Sequence, residues 1–104
     1  MLNNRADKLV LKAFLELPVP VALRREDAPL AARCGEELRS VANRLLVGRS
    51  GSIEILAPQL ISKEDKAALN ALITRLPDGE EKRELVFFYR LAILVELVIL
   101  KYRV

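Results

Sequence analysis

The chain has no histidine and no tryptophan, and among its 104 residues there are one cysteine, four glycines, three phenylalanines and two tyrosines. Without histidine, the commonest general base and metal ligand is missing. Cys34, the single thiol, cannot form an internal disulfide or a metal site alone, and no imidazole can activate it as a nucleophile. A reducing cytoplasm is the compartment this cysteine usage implies. No N-terminal signal peptide is visible, because charges recur from Arg5 through Glu16.

A block of one charge sign is also missing. The chain carries 17 basic and 14 acidic residues, a net +3, with the signs mixed along its length. That evenness argues against a dedicated phosphate-tracking surface. The longest apolar run, Leu85 to Leu100 (LVFFYRLAILVELVIL), is interrupted near its middle by Arg90 and Glu96. A membrane-spanning helix needs about 20 predominantly apolar residues. Charges at its centre would be costly in lipid, so no span is expected here.

What is present is helical periodicity. Hydrophobic residues make up 52% and charged residues 30% of the chain. Residues 3–17 read as a first helix, capped by Asn3 or Asn4. It carries one apolar face of Ala6, Leu9, Val10, Ala13, Phe14 and Leu17 and a second stripe of Leu11 and Leu15. Pro18 and Pro20 end it, and residues 18–27 read as a connector. Residues 28–47 read as a second helix with Asp27 as N-cap and Pro29 in the first turn. Its apolar side is Leu30, Ala31, Cys34, Leu38, Val41, Ala42 and Leu45.

Gly48 to Ser52 reads as a loop, and Ile53 to Ile61 as an irregular apolar strap broken at Pro58. Residues 62–76 read as a third helix opening on a capping-box pattern, Ser62 to Asp65, with Leu69, Leu72, Ile73 and Leu76 inward. The fourth helix runs from residue 78 or 79 to the end. Glu80, Glu81 and Glu84 lie near its start and Lys101 and Arg103 near its end, both favourable to the helix dipole.

The expected architecture is therefore all-α. It is a single domain over residues 1–104, a four-helix, bundle-like arrangement with a long apolar C-terminal helix and a strap between the second and third helices. No catalytic, cofactor-binding or metal-ligating residues are expected. The carboxylate pairs Glu36/Glu37, Glu64/Asp65 and Glu80/Glu81 are adjacent in sequence, and adjacent residues on a helix diverge.

A helix apolar on nearly every side must be central, or pair with a partner, or both. The expected function is a non-enzymatic protein–protein interaction module: an adaptor, a chaperone-like protein or an assembly subunit, homodimeric through its last helix. The candidate interface is Leu11 and Leu15 with Phe87, Phe88, Tyr89, Arg90, Leu94, Glu96, Leu97, Leu100 and Tyr102. Either Arg90 or Glu96 is expected to meet an opposite charge from another helix or subunit. The alternative is a transcriptional or nucleic-acid-associated regulator using arginines of the second helix and the 48–52 loop. A membrane-associated accessory protein is the weakest reading.

Overall fold

A computed structural model describes residues 4–47 and 61–102. The described residues are helical throughout, with no strand among them. The helices are α1 (Arg5–Glu16), α2 (Val21–Glu26), α3 (Ala28–Ala31), a π-helical turn (Ala32–Glu37), α4 (Leu38–Leu46), α5 (Lys63–Arg75) and α6 (Glu80–Tyr102). The loop expected at 48–52 and residues 53–60 of the expected strap lie outside the described residues; Ile61 is described and buried. No helix among the described residues is long and apolar enough to cross a membrane.

α6 is the element on which the others converge: α1, α2, α4 and α5 all pack against it. Its inward side buries Leu85, Phe88, Leu91, Ala92, Val95, Val98 and Ile99. Phe88 meets Phe14 of α1 with ring centroids 5.6 Å apart and planes tilted by 33°, a geometry suited to the aromatic quadrupoles.

The caps explain where the helices begin. The Asn4 side-chain oxygen accepts from the backbone N–H groups of Ala6 and Asp7 at 2.8 and 3.2 Å, satisfying donors that the first turn leaves free. Asp27 does the same for Leu30 N–H at 3.1 Å, and Ser62 for Asp65 N–H at 3.1 Å. The expected capping box is only half formed. Asp65 turns its carboxylate to Arg33 at 3.0–3.3 Å, which ties α5 to the π turn.

Two expectations change. The connector at 18–27 contains α2, six residues long. So short a helix is marginal alone. Here Ala22 and Leu23 are buried, and Arg25 makes a two-pronged ion pair with Glu81 at the start of α6, 2.9 and 3.1 Å. Tertiary contacts, rather than propensity, make it a helix.

The buried face of α1 is also turned. Leu11 and Phe14 are fully buried and Asp7 is 8% exposed, while Leu9 is 61% exposed. The centre of the core thus takes Leu11 from the expected second stripe and Phe14 from the expected first face, with Leu15 half-buried beside them. α1 is apolar over so broad an arc that hydrophobicity alone did not fix its rotation; the pairing of Asp7 with α6 does.

The second expected helix is continuous through residues 28–46 but carries the π turn at Ala32–Glu37. All seven residues of its expected apolar side are buried. Inside the turn, Gly35 lies against Val19: a Cβ at Gly35 would stand 2.7 Å from Val19 Cγ2. Glycine here permits the closest approach between the Pro18–Pro20 corner and this helix, and an alanine would have to displace a buried valine.

Candidate interaction surface

The residues expected at an interface separate into two groups. Leu11 and Phe88 are fully buried within the chain and have no surface to offer a partner. Leu15, Tyr89 and Tyr102 are half-buried and pack against the core. Glu96 is 6% exposed and paired with Lys66 of α5, Nζ to Oε1 2.9 Å. It is thus Glu96 that meets an opposite charge from another helix, and it does so within the chain. Tyr89 accepts a hydrogen bond from the Asn70 side-chain amide at 3.3 Å.

The second group is exposed. Phe87, Leu94, Leu97 and Leu100 are 57, 47, 55 and 42% accessible, and Arg90 is exposed among them. Large apolar side chains so exposed and so close together on one element are unusual for a face meant only for water.

The helical turn places them. Advancing about 100° per residue, Phe87, Leu94, Arg90, Leu97 and Val86 fall in sequence around one side of α6, opposite Leu85, Phe88, Ala92 and Val95. Three shallow clefts border this side, one of them lined by residues 17–21 with Glu84 and Phe87. A second, of about 450 Å³, is lined by Lys82, Arg83, Val86, Phe87 and Arg90 together with the Asp78–Gly79 turn. Another, of about 210 Å³, lies between α1 and α6, with Asp7 and Val10 on one wall and Leu94, Leu97, Val98 and Lys101 on the other.

Ion pairs at both ends reinforce the rotation that the buried face of α6 sets. Near its start is the Arg25–Glu81 pair. Near its end, Asp7 accepts from Lys101 Nζ at 3.0 Å and from the Tyr102 hydroxyl at 2.9 Å. The hydrogen bond from Lys101 holds the Asp7 carboxyl below its ordinary value of 3.8, with Tyr102 assisting and burial opposing. Arg25 likewise lowers Glu81 from 4.5, and the Arg25 guanidinium is correspondingly raised.

A depressed carboxylate pKa contributes stability above the ordinary pKa, and that contribution is lost as pH falls through the folded value. Asp7→Asn is therefore expected to lower the melting temperature by a constant amount at pH 7 and pH 5. The gap to wild type should begin to narrow as pH falls below 3.8 and be lost as pH passes through the lower folded value of Asp7. Circular-dichroism melts across that range check this; a gap that does not narrow at all below pH 3.8 would contradict the assignment.

Among the described residues no group of three or more His, Cys, Asp or Glu side chains is placed to hold a metal ion. Arg33, a candidate for nucleic-acid contact, has its guanidinium engaged by Asp65. Sequence reasoning found the exposed row on α6 but could not separate it from Leu11 and Phe88; the helix rotation supplies that. No protein-family model, curated protein or solved structure matches this chain.

Proposed function

We propose that this chain is a small non-enzymatic helical interaction module, an adaptor, chaperone-like protein or assembly subunit, that binds through the outward side of α6. One observation carries the reading. The most apolar helix already has α1, α2, α4 and α5 on its inward side, and still presents Phe87, Leu94 and Leu97 to solvent. This supports the finer architecture too: a four-helix, bundle-like domain whose C-terminal helix has more apolar surface than its neighbours cover. The buried free thiol of Cys34 is in keeping with a reducing, cytoplasmic setting. A homodimer through this side is one form of the proposal and a complex with a different polypeptide the other, and experiment separates the two.

The test is a photo-reactive residue at position 97, with a control at Lys12 on the polar side of α1. In the cells that make the protein, position 97 is expected to give a discrete adduct, lost on Leu94→Glu, and position 12 none. The adduct's mass separates a second copy from another protein. No adduct at 97 beyond the control would sink the proposal.

A further inference from the structure

The charges on α6 are sorted by side. Around the wheel, Glu81 and Glu96 fall on the half facing the other helices, Glu80 and Glu84 lie exposed towards its edge, and Lys82, Arg83, Arg90 and Lys101 fall on the outward half. Both inward carboxylates are matched within the chain, Glu81 by Arg25 and Glu96 by Lys66. On the outward half, Lys101 reaches back to Asp7, and Lys82 lies 3.5 Å from the fully exposed Asp78. Arg83 and Arg90 have no carboxylate within ion-pair distance among the described residues. The exposed apolar row therefore carries a surplus of cations: the carboxylates on its rims, Asp78 and Asp7, are taken up by Lys82 and Lys101, Glu84 lies beyond Phe87 on the α2 side, and Arg83 and Arg90 stand unmatched.

We infer that the outward side of α6 is a docking site for an acidic amphipathic helix of another polypeptide, one that sets leucine-like side chains against Phe87, Leu94 and Leu97 and a carboxylate against Arg90. This rests on the interaction reading above and adds the partner's chemistry. A helix laid on an apolar surface through an i, i+3, i+4, i+7 stripe is a recurrent mode of recognition, and the clefts beside Arg90 and beside Leu97 give it edges to seat against. From Arg83 to Lys101 the surface runs roughly 27 Å, about five helical turns.

Charge decides among occupants. Two copies joined face to face would bring Arg83 and Arg90 of both chains into one seam whose rim carboxylates, Asp78 and Asp7, are already paired with Lys82 and Lys101, and a surplus of like charge so placed opposes association. A bilayer is disfavoured by position. Helices that lie on membranes keep their cations on the polar side and bury an apolar one. Here Arg90 sits inside the apolar row, with Phe87 and Leu94 on one side and Val86 and Leu97 on the other. Only a structured partner can set a carboxylate at that point, and Arg90 can accept it with two parallel N–H donors.

The experiment uses the full chain and a fluorescent helical peptide of about eighteen residues, matched to that length, with leucines in one stripe flanked by glutamates. A second peptide has lysine for every glutamate. Anisotropy is expected to show saturable, salt-sensitive binding of the glutamate peptide alone. Arg90→Glu, checked for folding by circular dichroism, is expected to weaken it about tenfold or more and to gain binding of the lysine peptide. Equal binding of the two peptides would overturn the inference. So would binding of phosphatidylserine vesicles in place of the peptide, or a cross-link from position 97 to residues 48–60 of the same chain. If neither peptide binds but the wild type sediments as a dimer that Leu97→Glu dissociates, the acidic partner is wrong and the interaction module stands. If neither peptide binds and the chain sediments as a monomer, both fall.

Discussion

Phe88→Ala is expected to remove about 3–5 kcal/mol of unfolding free energy, as truncation of a buried phenylalanine typically does. The same change one residue earlier, Phe87→Ala, is expected to cost under about 0.5 kcal/mol, as for surface positions. Phe88 is fully buried against Phe14, and Phe87 is 57% exposed. A domain of this size has roughly 5–15 kcal/mol in total, so the first variant is crippled or unfolded and the second is not. Urea denaturation followed by circular dichroism measures both. Equal losses would mean that α6 is rotated about its axis from the placement described here, and the outward row would lose its meaning.

The second large effect is at Cys34. The thiol is 1% exposed, and burial pushes it up from 9.0 to about 12. Only the thiolate reacts, so this shift alone lowers the reactive fraction at pH 8 by about a thousandfold relative to the unfolded chain. Iodoacetamide should leave the native protein almost unlabelled while alkylating it readily in denaturant. The same shift has a stability signature of opposite sign to that of Asp7. Because the folded pKa is raised, the contribution of the neutral thiol is complete below pH 9.0 and is lost as pH rises towards 12. Native labelling as fast as in denaturant would place Cys34 at a surface, and the apolar side of the helix through residues 28–46 with it.

Much of the core was readable from spacing. Leu30, Cys34, Leu38, Val41 and Leu45 recur at helical intervals with polar residues opposite, and no other rotation buries them. Leu69, Leu72 and Leu76 behave likewise. α1 was ambiguous because Leu9, Val10, Leu11, Phe14 and Leu15 cover most of its circumference. Its rotation depends on Asp7 finding Lys101 and Tyr102, a contact across 94 and 95 positions of sequence that no local pattern reports. α2 was hidden between prolines, since it exists through its contacts with α6. The π turn has no signature beyond Gly35, and its reason, Val19, comes from another segment. On α6 the residue types at the candidate surface were evident. Which of the two adjacent phenylalanines faces water was not, because both neighbours of the choice are apolar.

The Asp7 clasp has a consequence in time. It joins the first described helix to the end of the last, so it closes nearly the whole chain into one loop, the costliest closure in entropy that this fold contains. Contacts within the α2–α4 segment, or between α5 and α6, span far fewer residues and can form while the clasp is still open. The clasp therefore belongs to the final steps of folding, and weakening it should leave the folding rate nearly unchanged and show up as faster unfolding. The packing of α6 on four helices sets its rotation, and the clasp that reinforces it at the chain's far end is the contact expected to close last and open first.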